Sequence, residues 1–335
     1  MIPTSSHGES ATGALPTSSR FHLERIAEGV WAAIVERGTG AWGNAGIVAL
    51  GNGTLVFDTF LTPAAARDLR AAAELLTGQS VTYVVNSHYH MDHIHGNAIF
   101  DDAHIIATTK TRERIAARGA ELLARRFALA ETLSDLDAQI ASAATPEVRA
   151  DLIALQGDYR ALDAALPELT LRLPDITFDQ RLTLHGAART VEVLSFGGGH
   201  TSSDAFLWLP AERVAFLGDL LGVRTHPSFG QADLEEWDTI LEQIEALDIA
   251  TCVPGHGLPG TPADVATLRQ YLSDMETLVD EAIVRGETAQ QVAALQPPPP
   301  YADWEARTIF TDNLRHLYAI SARSAGPDDT IDEAR

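Results

Sequence analysis

Short β-branched and apolar runs broken by glycine and asparagine dominate the chain from residue 29 to residue 58. Gly29–Val35, Gly46–Leu50 and Thr54–Asp58 each read as a strand, with Gly51-Asn52-Gly53 as a tight turn between the last two. Together they predict an antiparallel meander. Pro63 then opens an alanine- and leucine-rich run to about Leu76, a helix with proline in its first turn, where the missing N–H has no intrahelical acceptor to lose. Val81 to Val85 is the next strand. A second strand-rich block runs from Arg181 to Leu217: Leu182–His185, Thr190–Ser195, Ala205–Leu209 and Arg213–Leu217. A further buried strand is read at Ile249–Val253.

Between the two blocks, from about residue 111 to residue 168, the pattern changes to helical spacing. Leu122, Leu123, Phe127 and Ala130, then Leu152, Leu155, Tyr159, Leu162 and Leu166, each fall on one face of a helix. Thr145-Pro146 starts the second of two long helices, so the segment reads as an antiparallel helical insertion. It serves either as a packing or homodimer surface or as a lid over an active site. The tail adds a helix from about Pro262 to Gly286, a proline loop at Pro297–Pro300 and a last helix from about Trp304 to Arg323. The expected class is α/β, two sheets each backed by helices. The domain expectation is a disordered leader over residues 1–20 and one domain over 21–330.

Composition narrows the partners. With 24 basic against 46 acidic residues the chain carries a formal net charge of −22. Such a surface repels nucleic acid and anionic lipid, so a small-molecule substrate is expected, with no nucleic acid and no membrane. The leader is rich in Ser, Thr and Gly without a continuous apolar stretch, and no later segment reaches about 18 uncharged apolar residues, so a cytoplasmic location is the default. The single cysteine, Cys252, sits in an apolar run and reads as a small core residue.

The chemistry lies where strands end. Val85 is followed by Asn86-Ser87-His88-Tyr89-His90-Met91-Asp92-His93, the pattern H-x-H-x-D-H. In an extended chain, side chains two apart share a side, so His88 and His90 converge, while Asp92 and His93 can turn toward a second point nearby. Imidazole nitrogen and carboxylate oxygen are donors that zinc accepts, and one loop thus offers ligands for two cations. Three more strand ends carry a ligand-type residue beside glycine: His200 in Gly-Gly-His-Thr, Asp219 in Leu-Gly-Asp, and His256 in Pro-Gly-His-Gly. Singly, Asp219 could cap a helix, and either histidine could be an ordinary loop residue. His226 and Arg224 follow the Asp219 loop closely enough to line a pocket, with Arg224 a candidate to meet a substrate carboxylate. Trp42 and Asn44 could form an overhanging loop.

Asp58, the His88–His93 pattern, His200, Asp219 and His256, in that order over residues ~25 to ~260, resemble the metallo-β-lactamase superfamily of metallohydrolases. The resemblance implies an αββα four-layer sandwich, here with a helical insertion between the two halves and a helical C-terminal tail. It implies that His88, His90 and His200 hold one metal, that Asp92, His93 and His256 hold another, and that Asp219 bridges them, with Asp58 orienting the histidine loop. Two zinc ions, with iron or manganese as substitutes, would share a water whose pKa falls toward 7, and this hydroxide would attack a carbonyl. Asp92 would also hold the hydroxide by a hydrogen bond. True β-lactamases of the family carry Cys or Ser where this chain has Asp219, whereas glyoxalase II and lactonases carry Asp. The expected activity is therefore hydrolysis of a small ester, lactone, thioester or amide, ahead of β-lactams. An iron persulfide-dioxygenase-like oxidoreductase would leave His93 and His256 without a purpose, and nuclease activity conflicts with the acidic charge.

Overall fold

The computed structural model describes residues 15–324, with the side chains of 119–127 and 323–324 left aside. The leader as far as residue 14, the last residues of the predicted domain and the side chains of Leu122, Leu123 and Phe127 therefore lie outside the described residues. Seven strands form the first sheet in sequential order: β1 (Phe21–Ala27), β2 (Val30–Val35), β3 (Ala45–Ala49), β4 (Thr54–Phe57), β5 (Val81–Val85), β6 (His104–Thr108) and β7 (Ile176–Phe178). The first four pair antiparallel; β2–β4 are the predicted meander, and β1, which the sequence reading did not include, adds to its edge. From β4 onward the pairing is parallel, and each parallel step needs a crossover. Helix α1 (Pro63–Thr77) makes the first, capped by the Thr62 side chain at one end and left-handed Gly78 at the other.

The second sheet holds β8 (Arg181–His185), β9 (Thr190–Gly197), β10 (Asp204–Leu209), β11 (Val214–Gly222) and β12 (Thr251–His256), antiparallel except for the β11–β12 pair. The short α2 (Met91–Ile94) follows β5. The insertion is α3 (Thr109–Ser142) and α4 (Pro146–Ala165), and α5 (Leu234–Glu245) crosses from β11 to β12. The tail is α6 (Pro262–Val284), α7 (Ala289–Val292) and α8 (Arg307–Ser324). The insertion leaves from β6 and returns to β7, so the first sheet gains its last strand after it.

Three apolar layers hold the sandwich. Between the sheets, Ile34, Val48 and Leu55 meet Val193, Leu207 and Val214, with the Phe57 and Phe216 rings 5.9 Å apart. Ala65, Ala66 and Leu69 of α1 cover the outer face of the first sheet. Trp237 and Ile240 of α5, Leu268 and Met275 of α6, and Phe310 of α8 cover the second. This is helix, sheet, sheet, helix. Burial of these faces is the main stabilising contribution, at about 25 cal/mol for each Å² of apolar surface removed from water. Cys252 lies in this core, and burial pushes its thiol up to about 12. In the folded protein it is expected to resist a disulfide reagent at mildly alkaline pH and to react once guanidinium unfolds the chain, as a thiol titration would register.

Helix α4 is fastened to the body. Asp158 accepts from the backbone N–H of Gly38 (3.2 Å) and Gly40 (2.8 Å), and Asp151 accepts from Arg37 (2.7 Å) and from the backbone of Arg307 (2.9 Å). Helix and loop approach closely because Gly157 has no side chain: a Cβ there would stand 2.4 Å from the Gly38 oxygen. Gly157→Ala gains about 1 kcal/mol of helix propensity, and the forced separation costs about 1–3 kcal/mol. The variant is expected to melt lower and to exchange its Gly38 and Gly40 amide protons faster. Unchanged exchange would contradict this contact.

Candidate metal centre

Five strands, β4, β5, β9, β11 and β12, bring the chemistry together on one edge of the sandwich. Asp58 follows β4 in a left-handed conformation (φ 58°), which aspartate tolerates better than most residues. Its buried carboxylate accepts from the Ser87 backbone (2.8 Å), the Ser87 hydroxyl (2.7 Å) and His93 Nδ1 (2.8 Å). Since the Ser87 hydroxyl donates to Asp58, it accepts from His88 Nδ1 at 2.9 Å. Both imidazoles are thereby held with Nε2 aimed inward. The Gln231 carbonyl oxygen does the same for His90: it lies 3.2 Å from His90 Nε2 and 2.9 Å from the Tyr89 hydroxyl, which leaves His90 Nδ1 facing the centre.

His200 rides on the glycine loop after β9. Asp204 pins that loop by accepting from the backbones of Gly199 (2.9 Å) and Thr201 (2.8 Å) and from the Thr201 hydroxyl (2.8 Å). Burial pushes the Asp204 carboxyl up to about 6, and these donors oppose it. Asp219 projects from β11 into a space that glycine leaves open, since a Cβ on Gly255 of β12 would lie 2.0 Å from Asp219 Oδ1. His256 ends β12, where Asn44 fixes the strand by donating to the carbonyls of Pro254 (3.0 Å) and Gly257 (2.7 Å).

The seven side chains converge as two adjoining groups: His88, His90, His200 and Asp219, then Asp92, His93 and His256, the ligand atoms within each group lying within 4.8 Å of one another. Asp219 stands between them. One of its oxygens is 3.2 Å from His93 Nε2, and the other is 3.7 Å from His88 Nε2, 3.3 Å from His200 Nε2 and 3.4 Å from His256 Nε2. Asp92 Oδ2 lies 3.3 Å from His93 Nε2 and 3.4 Å from His256 Nε2.

The electrostatics fit a cation. Burial alone would raise both carboxyls, yet the neighbouring His93 and His256 hold Asp92 and Asp219 well below the usual carboxylate range. Burial would likewise lower His256, but Asp219 and Asp92 push it up to about 10, and the same pair with Asp58 raises His93. His88 and His200 follow their burial downward, His200 to about 3, as neutral imidazoles suited to ligation. His88 Nε2, His93 Nε2 and Asp219 Oδ1 are buried without a hydrogen-bond partner in the protein. Buried polar atoms rarely stay unpaired, and three aimed at one space are the donor set a divalent cation requires.

A cavity of about 400 Å³ opens above the cluster. Leu155 and Tyr159 of α4 and Ile309 of α8 form its outer wall, and Trp42 packs edge-on against Tyr159 at 5.3 Å. The insertion is thus a wall of the pocket. Trp42 and His226 line the cavity as expected, but Asn44 is buried under β12. Arg224 also departs from the reading given above: it turns to the surface and pairs with Asp303, because residues 224–226 run beside Glu305 and direct His226 inward instead. Sequence reasoning missed Ser87, Asp204 and Gln231, whose roles depend on who stands opposite them. It also passed over α5, although Trp237, Ile240, Leu241 and Ile244 carry helical spacing.

Known proteins resemble this chain in sequence and in fold. A sequence profile described as the metallo-beta-lactamase superfamily matches residues 39–256. The chain is 30% identical over 95 residues to a protein named metallo-beta-lactamase type 2 from Bacteroides fragilis, a match spanning 27% of this chain and 38% of that relative. Among solved structures it is similar to a metallo-beta-lactamase from Pontibacter korlensis, with a TM-score of 0.56 at 17% identity, covering 76% of this chain and 99% of that one. It is also similar to the DIM-1 metallo-beta-lactamase, with a TM-score of 0.55 at 17% identity, covering 76% and 98%. The profile spans more than half the chain and ends at His256, the last of the clustered side chains, so this protein belongs to the metallo-beta-lactamase superfamily.

Proposed function

We propose that this protein is a metal-dependent hydrolase of a small carbonyl compound, with zinc at two adjoining positions. The observation that carries the reading is Asp219, one carboxylate within 3.7 Å of four imidazole nitrogens drawn from both groups. His88, His90 and His200 would hold one ion, Asp92, His93 and His256 the other, and Asp219 both. Bound there, the pair would supply Lewis acidity at the carbonyl oxygen and acidify water to near-neutral pH. The chain does the rest. Asp92, at the cavity floor, accepts a hydrogen bond from the attacking water and aims it at the substrate. Asp58 and Ser87 keep His93 and His88 in the ligating tautomer, and Trp42, Leu155 and Tyr159 exclude bulk water from one side.

Esters, lactones and thioesters stand first. β-Lactams stand second, favoured by the names of the relatives and disfavoured by an aspartate at position 219. Metal analysis of the purified protein is expected to give about two zinc per chain, and a single iron would redirect the assignment to an oxidoreductase. A nitrophenyl ester, a homoserine lactone, a glutathione thioester and nitrocefin should be assayed with and without a chelator. Chelator-insensitive turnover would remove the metal from the reading.

A further inference from the structure

Arg224, the cation that the sequence places at the pocket, is turned away to Asp303. Among the described residues two other arginines border the cavity, Arg37 and Arg118, and they stand in opposite surroundings. Arg37 lies 2.7 Å from Asp151 and 3.4 Å from Glu305, with Asp158 bordering the cavity from the same helix as Asp151, so carboxylates outnumber the cation there. Arg118 belongs to α3 and stands over Tyr89, the residue between His88 and His90.

The fold holds Arg118 at this place. Ile115, three residues earlier and so on the same helix face, is fully buried in one cluster with Tyr89 and Ile94. The half-buried Arg118 puts its guanidinium carbon 4.8 Å from the centre of the Tyr89 ring, and that ring is 5.4 Å from the ring of His90. A guanidinium over an aromatic ring turns its face to the π cloud and keeps its N–H donors in its own plane, at its edges. Stacking thus fixes the charge without consuming the hydrogen-bonding edge. Tyr89 fixes a second donor as well. Its hydroxyl and His90 Nε2 both meet the Gln231 amide oxygen, at 2.9 and 3.2 Å, which leaves the amide hydrogens of this exposed side chain for the cavity it borders. One tyrosine thereby sets a cation and a neutral donor beside a candidate metal ligand.

We propose that Arg118 and Gln231 form an anion subsite that holds a carboxylate of the substrate on the His90 side of the metal centre. This rests on the hydrolase reading and names its substrate class: acyl compounds with a second, ionised carboxyl group remote from the carbonyl under attack. The net charge of −22 repels anions at long range, so a preference for an acid ester has to come from local donors such as these.

The test pairs a kinetic and a spectroscopic measurement on the metal-loaded protein. The mono-nitrophenyl esters of adipate, pimelate and suberate should each be compared with the matching methyl nitrophenyl diester, which has nearly the same length and no charge. Wild type is expected to prefer at least one acid ester over its diester. Arg118→Gln is expected to raise the KM of that acid ester about tenfold more than that of the diester, with kcat affected less, and Arg118→Lys to recover part of the loss. The preference should shrink as salt is raised. Independently of turnover, the Arg118 Nε–H signal in proton–nitrogen spectra is expected to shift saturably with the dicarboxylates and not with chloride at the same ionic strength. Absence of that shift with all three dicarboxylates would overturn the subsite whether or not the protein is a hydrolase. So would acid esters turned over no better than their diesters, or a preference that survives in Arg118→Gln. A saturable Arg118 shift with no ester turned over would instead strike the hydrolase reading.

Discussion

Asp219→Ala is expected to lower kcat/KM by about 10³-fold or more while the chain stays folded, with metal content dropping from about two ions per chain toward one. The size follows from position. Asp219 offers one oxygen to His93 and the other to His88, His200 and His256, so its removal leaves both groups short of the charge between them. Four imidazoles would then crowd a space with no carboxylate of its own except Asp92. Stability should suffer much less. The carboxylate sits at the edge of the sandwich, above a core built by Phe216, Leu217 and Val253 that does not involve it. Thermal melting, metal analysis and ester kinetics on one preparation decide the matter. Global unfolding of the variant, or full loading with wild-type turnover, would contradict the bridging role.

Asp58→Ala is expected to strike stability instead. Three buried donors, the Ser87 backbone, the Ser87 hydroxyl and His93 Nδ1, would lose their shared acceptor. At about 1–3 kcal/mol for each buried unpaired group, with partial relaxation, the loss is about 3–5 kcal/mol. Alanine also fits the left-handed backbone at φ 58° less well than aspartate does. For a domain of this size the midpoint should fall by about 5–8 °C. His93 would be free to rotate, and affinity for the second metal should drop about 10–100-fold, as when other outer partners of ligating histidines are removed. Asp58→Asn keeps one acceptor oxygen and suits the backbone, so its midpoint should fall less. Equal stability of Asp58→Ala and wild type would refute the anchoring role.

Much of this was legible in the chain. The meander β2–β4, helix α1, strand β5 and both insertion helices follow from local signals: alternation, proline at a helix start and glycine at turns. The H-x-H-x-D-H loop is local too, so its four residues could be read as one unit. Strand β1 was passed over although Phe21 and Leu23 alternate with exposed residues, because a short strand beside a polar leader gives a weak signal. The supporting residues were hidden for a different reason. Ser87, Asp204 and Gln231 are common residue types, and their meaning comes from a carboxylate, a glycine loop or a histidine brought opposite by the fold.

The sequence by itself determined which side chains could meet a cation, and in what order along the chain, because ligand chemistry and strand-end glycines are properties of residue type and spacing. Only the tertiary structure decided that α4 walls the pocket, that Arg224 turns out to Asp303 while His226 turns in, and which nitrogen of each imidazole faces the centre. Those choices are set by contacts between positions tens to hundreds of residues apart, where close packing and pairing of every buried polar atom select one arrangement among many that local pattern allows.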